Sequence, residues 1–253
     1  MVKEKMYLRF LLQDIKRSFM NMGFVVGICG LGALFTYNFV TESLHAGSVY
    51  YAIVNILAAS GFAPFRPVFP VLGYSSRFCE EYESGYYRMI LSRMKPQKFA
   101  QVRIISVALS GGAIVAIPYL LVCLAAIHSG IPEITSNAVR VDTDLEMVVI
   151  AQTYGVGVMV AAKVLLGFLF GAAWALVGLA FAVWMPNKYV SLIAPFVLYQ
   201  SLWILLDKSI LNPVKLVNGD GIGHLLSAVM ECVWILAAAA AAMAGFRRRC
   251  RDE

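Results

Sequence analysis

Six stretches of this chain are apolar for about the twenty residues needed to span a bilayer's hydrocarbon core, and short polar segments separate them. The pattern predicts spans over about Met22 to Val40, Val49 to Gly73, Ile104 to Ile127, Val156 to Trp184, Tyr189 to Leu206 and Leu225 to Phe246. Ahead of them, Leu8, Leu12, Ile15 and Phe19 recur at helical spacing with Arg9, Lys16 and Arg17 between them. That pattern predicts an amphipathic helix over residues 1–19, lying on the membrane surface, or more simply a positive tail that sets topology. The second span contains Pro64, Pro67 and Pro70 around Arg66, and proline removes a backbone donor, so this span is expected to be bent or broken. The fold class expected is an all-α polytopic membrane protein. It would form a single transmembrane domain over residues 1–253, with a six-helix bundle over 22–246.

Composition fits this picture: of 253 residues, 60% are hydrophobic and only 14% charged. Orientation follows from the basic residues. Lys3, Lys5, Arg9, Lys16 and Arg17 precede the first span, and Arg77, Arg88, Arg93, Lys95, Lys98 and Arg103 lie between the second and third. Lys188 lies between the fourth and fifth, and Arg247, Arg248, Arg249 and Arg251 follow the sixth. The other connections hold only Arg140, Lys208 and Lys215, so both termini are expected in the cytoplasm. The net charge of +6 is accounted for by this bias and by anionic lipid headgroups, without a nucleic-acid partner. Cys29, Cys79, Cys123, Cys232 and Cys250 lack metal-ligand spacing and read as small buried hydrophobes.

Small residues recur as GFVVG at Gly23 to Gly27 and GFLFG at Gly167 to Gly171. This spacing lets helices approach closely, within one subunit or between two. The alanine run Ala237 to Ala242 reads as narrow helix surface. The polar stretch from His128 to Gln152 is the longest external loop, and its last part predicts a short interfacial helix. Residues 207–224 carry turn signals at Asn212-Pro213 and Asn218-Gly219, and are expected to dip back into the outer membrane face.

No catalytic constellation can be named: the chain has no HExxH, no GxSxG and no metal-ligand spacing among His45, His128 and His224. It also has no GxxxxGK[ST], so any ATP-driven work needs a separate subunit. Charged groups within the spans are limited to Arg66, Lys163 and Glu231, a poor supply for a gradient-driven carrier. Arg66 either lines a pathway or snorkels from the end of its span, and Lys163 is expected to snorkel. Phe35, Tyr37, Tyr199 and Trp203 suit the wall of a pathway, and equally suit lipid contact or core.

The segment from Arg77 to Arg103 is richer. Phe78, Tyr82, Tyr86 and Met89 fall at spacings of four, four and three, an apolar stripe on one predicted helix over 78–91 that suits a groove on a partner or a lipid surface. Glu80, Glu81, Glu83, Arg88 and Arg93 surround the stripe with charge able to set register.

Six spans with both ends inside, and the sequence EEYESGYYRMILSRMKPQKFAQVRIISVALSGG at Glu80 to Gly112, resemble the membrane subunit of an ABC-2 type (type V) ABC transporter. The matching features are a carboxylate at Glu81 or Glu83, Gly85, the apolar run Met89 to Leu91, and the basic segment Arg93 to Lys98. The resemblance implies that Met1 to Phe19 is an interface helix and that Glu80 to Leu91 is a coupling helix. The latter would dock on a P-loop ATPase, with Phe78, Glu80, Glu81, Tyr82, Glu83, Gly85, Tyr86 and Met89 as its contact set. It further implies a second membrane subunit, identical or paralogous, with ATP and Mg bound by the partner ATPase and no cofactor in this chain. Export of an amphipathic small molecule, peptide or lipid across a bacterial plasma membrane follows from the same resemblance. The alternative is a membrane scaffold that recruits a cytoplasmic partner without transport. This chain departs from lipid-flopping members in having no large external domain and a proline-broken second span.

Overall fold

In the computed structural model the described residues are 2–46, 53, 63–91, 94–128, 145–219 and 223–252, and they form helices and their connections with no strand among them. Helix α1 (Val2–Phe19) turns at Met20 and Asn21 into α2 (Met22–Ala46). A 3-10 turn at Ala63–Phe65 leads to three short helices, α3 (Val68–Tyr74), α4 (Arg77–Glu83) and α5 (Tyr86–Leu91). Then follow α6 (Pro96–His128), α7 (Leu145–Tyr154), α8 (Val156–Trp184), α9 (Lys188–Leu205), α10 (Pro213–Asn218) and α11 (His224–Asp252).

Five of these, α2, α6, α8, α9 and α11, are long and apolar enough to cross a membrane. The expected second span lies largely outside the described residues. Its described end is broken as the prolines predict, with Arg66 and Pro67 forming a turn between the 3-10 segment and α3.

Helix α8 is the axis of the bundle. It packs along α6 and α11, and α9, α3 and α7 also rest on it. Its second half, AAWALVGLA at Ala172 to Ala180, is buried on every side, because small residues let α6 and α11 close in on opposite faces. Both small-residue motifs are used inside the chain. A side chain at Gly23 would collide with the Leu72 carbonyl of α3, and one at Gly171 with the Gly111 carbonyl of α6.

Local signals set the helix ends. Asn187 accepts from the backbone N–H groups of Tyr189 and Val190 at 2.9 and 3.4 Å and so starts α9 directly after α8. Asn212 accepts from Val214 N–H at 2.9 Å, with Pro213 in the first turn, and starts α10. Cys79 and Cys123 are buried as expected, whereas Cys29 and Cys232 are exposed on α2 and α11.

Helix α1 forms where the stripe predicts it. Leu8 and Leu12 are exposed, and the face turned to the bundle carries Phe10, Asp14 and Ser18. Arg9, Lys16 and Arg17 share the exposed side with the two leucines, the composition of a helix at a membrane surface. Lys163 does not snorkel: it is 3% exposed, inside the bundle.

Candidate functional site

The segment between α3 and α6 is stitched into one end of the bundle. At its centre lies Arg103, on the first turns of α6, fully buried. Its guanidinium bonds Glu81 of α4 through Nη2 and lies 3.4 Å from Asp14 Oδ1 of α1 through Nη1. Tyr74, at the end of α3, donates its hydroxyl to the same Asp14 oxygen at 2.7 Å. The guanidinium carbon stands 4.8 Å from the Tyr74 ring centre and 5.4 Å from that of Phe99. Arg17 of α1 approaches the second Glu81 oxygen at 3.9 Å and covers Tyr86. Burial raises the Glu81 carboxyl above the ordinary carboxylate range, while the attraction of Arg103 opposes the rise.

Around this charge cluster the other elements attach to the segment. Phe78, Tyr87, Phe99 and Phe246 form a ring of edge-to-face aromatics with centroids 5.1 to 5.8 Å apart, joining α4, α5, α6 and α11. Tyr87 and Cys250 of α11 are in hydrogen-bond contact at 3.2 Å. Arg249 donates to the Trp184 carbonyl at 3.1 Å and to that of Val183, placing a cation at the C-terminus of α8, and its guanidinium also lies 4.7 Å from the Tyr82 ring centre. Glu80 bonds Lys188 of α9 at 2.9 Å and Arg77 at 2.6 Å.

The single predicted coupling helix over 78–91 is therefore corrected to two helices. The break falls at Ser84 and Gly85, where Gly85 has φ +72, in the left-handed region that favours glycine. Its eight predicted contact residues also separate. Phe78 and Glu81 are buried and cannot meet a partner in this state; Glu80 is engaged with Lys188; Tyr82, Gly85 and Tyr86 are half-buried. Glu83 and Met89 face outward, with Arg88 beside them. The expected stripe failed because its four-residue spacing was carried across the glycine break. Past that break Tyr87, not Tyr86, turns into the core.

Glu80 makes a pH prediction. The hydrogen bond from Lys188 holds its carboxyl below the ordinary value of 4.5, with burial opposing and Arg77 reinforcing. A lowered folded-state value means the tie is fully present above pH 4.5 and is lost as pH falls through that lower value. Both partners are substantially exposed, so the expected contribution is under about 1 kcal/mol. Thermal unfolding of the unaltered chain and Glu80→Gln should differ slightly at pH 7 and converge at low pH. An undiminished difference below the Glu80 titration would remove Lys188 as the cause.

Of the five residues read as suited to a pathway, Tyr37 is exposed on α2 and the other four fall into two places. Phe35 is buried against Tyr119 of α6, with ring centres 6.0 Å apart, in the cluster formed by α2, α6 and α7. Tyr199 and Trp203 of α9 lie together elsewhere, 6.5 Å apart, beside Trp174. Arg66 belongs with this second group. The turn that carries it is bonded to α9 by Gln200, which donates to the Pro64 carbonyl at 2.7 Å, and by Phe65 stacked on Phe196. Arg66 and Glu231 of α11 both act electrostatically on the Tyr199 hydroxyl, and all three side chains are buried. Arg66 is thus held inside the bundle, with Tyr199 of α9 and Glu231 of α11, rather than snorkelling.

At the opposite end of the bundle, His224 ties α11 to α7. Its backbone N–H and Nδ1 lie 3.0 and 2.9 Å from Glu146 Oε2. Burial alone would raise the Glu146 carboxyl, but these hydrogen bonds hold it below its ordinary value. No group of three or more His, Cys, Asp and Glu side chains suited to a metal ion exists among the described residues.

Asp14 and Tyr74 were missed in the sequence, and Arg103 was read only as a topological charge. The available signal was the second helical face of α1, Phe10, Asp14 and Ser18, on which an acid stands one turn beyond Phe10, itself packed on Phe99 of α6.

Fold and site define a multi-pass helical protein with a segment between its long helices fastened to several of them at one end. No family model matches the chain, and no curated protein or solved structure matches it significantly.

Proposed function

We propose that this chain is the membrane subunit of an ABC-2 type transporter. It would have six spans with both termini cytoplasmic, in a bacterial plasma membrane, paired with a second membrane subunit and driven by a separate P-loop ATPase that binds ATP and Mg. The observation that carries this reading is the attachment of segment 77–91. It is bonded to α6 through Arg103, to α1 through Arg17, to α9 through Lys188, and to α11 through Cys250 and Arg249, while Glu83 and Met89 remain on its outer side. A displacement of that outer side is transmitted to four helices at once, which is what coupling to a moving ATPase requires. The shared end also supports the orientation, because α1 and the last turns of α11 both touch this segment.

In the mechanism, ATP draws two ATPase subunits together, and each carries a coupling segment with it. Two packings of the helix bundle then alternate with nucleotide state. Export of an amphipathic small molecule, peptide or lipid is the transport proposed, and the group of buried Arg66 and Tyr199 with half-buried Trp203 is the candidate to meet it.

The test is co-purification of the chain with a P-loop ATPase encoded beside it, using Glu83→Lys/Met89→Glu. Both positions are exposed, so the variant should keep its thermal stability while losing ATPase assembly and ATPase stimulation. Unaltered assembly and stimulation would overturn the coupling role. Capture of a cytoplasmic protein with no ATPase activity would favour the scaffold.

A further inference from the structure

The alanine run of α11 leaves a trough that the function above does not use. Ala237, Ala238 and Ala241 form one wall, Val177, Phe181 and Trp184 of α8 the floor, and Leu198 of α9 the far side of a groove of about 450 Å³. Trp234 lies at its deep end and Trp184 at the end where α8 stops. The groove-lining positions of α11 follow helical spacing: 234, 237, 238 and 241. Continued by seven residues, that stripe reaches Arg248, and by three more, Arg251. Arg248 stands over the mouth, its guanidinium carbon 5.5 Å from the centre of the Trp184 ring. Arg251 is exposed and forms no ion pair among the described residues.

We propose that this groove binds one anionic phospholipid, with an acyl chain lying along the alanine wall and the phosphate held by Arg248 and Arg251. The two ends require different chemistry. The trough offers only carbon and suits a hydrocarbon chain; its mouth offers two guanidiniums and an indole, the groups that hold a phosphate and an interfacial tryptophan at the headgroup layer. About 10 Å of helix separates Ala241 from Arg248, so one molecule reaches both. A helix of a second copy would fill the trough but leave Arg251 without an anion, and a free phosphate would leave the trough empty.

The experiment uses the whole chain in phosphatidylcholine bilayers containing phosphatidylglycerol, with dibrominated acyl chains on one lipid or the other at equal mole fraction. Quenching that disappears in Trp184→Phe reports the groove. Brominated phosphatidylglycerol should associate there at least about fivefold more strongly than brominated phosphatidylcholine, the advantage expected from one arginine near an anionic headgroup. The preference should vanish in Arg248→Gln/Arg251→Gln, two exposed positions whose loss spares the fold. Equal quenching by the two lipids overturns the proposal, as does a preference that survives the double substitution. Disulfide formation between copies of Ala241→Cys would assign the trough to a second subunit and also overturn it. None of these readouts depends on transport or on an ATPase.

Discussion

Arg103→Met is expected to lower stability by about 3–5 kcal/mol, a fall on the order of 10 °C in thermal unfolding followed in detergent. The reason is what the substitution leaves behind. Asp14 and Glu81 are both buried, and without the guanidinium they face each other with only the half-exposed Arg17, 3.9 Å from Glu81, as a remaining cation. Removing one member of a buried charge cluster costs far more than removing the whole cluster, because desolvation of the survivors is uncompensated. Asp14→Leu/Glu81→Met/Arg103→Met should therefore recover most of the lost stability. In the proposed transporter it should also lose ATPase stimulation, since the charge pairing that links α1, α4 and α6 would be gone. If the triple variant is as unstable as Arg103→Met, the cluster is not held by charge pairing. If it is stable and fully stimulated, the charge cluster is not the linkage.

A second large effect is expected at the crossing of α6 and α8. A Cβ on Gly111 would stand 2.8 Å from the Gly171 carbonyl oxygen and closer still to the Ala175 side chain. The oxygen belongs to a rigid helix backbone and cannot rotate away. Gly111→Val must therefore push α6 off the central helix, at about 1–3 kcal/mol or more. Gly32→Val is the control: its Cβ would meet only Pro118 at 3.9 Å, and a change within about 0.5 kcal/mol is expected. Thermal unfolding of the two variants side by side checks the prediction. Equal values would mean that α6 and α8 do not meet as closely as described.

Much of the architecture was legible along the chain. The expected fourth span, Val156 to Trp184, coincides with α8, and the expected fifth begins within one residue of α9. Uninterrupted apolar length, ended by Pro186 and Asn187, is a local signal that tertiary contacts do not alter. The candidate site was legible only in part. That residues 77–103 do more than connect two helices followed from their density of charge and aromatics. Which side chains stay available did not follow, because Phe78, Glu80 and Glu81 are engaged by Phe246, Lys188 and Arg103, and nothing in a helical repeat announces partners so far along the chain.

The sequence by itself determined that the chain is helical, that its long helices suit a membrane, and that one connecting segment carries an excess of interacting groups. Each of these depends on hydrophobic length or residue density over about twenty neighbours. Tertiary structure alone decided that Asp14 turns inward, that Arg103 is a buried keystone rather than a topological charge, and that the alanine run opens a groove beneath Arg248. A helix presents several faces of comparable polarity, and the neighbours that close around it select the one that becomes interior.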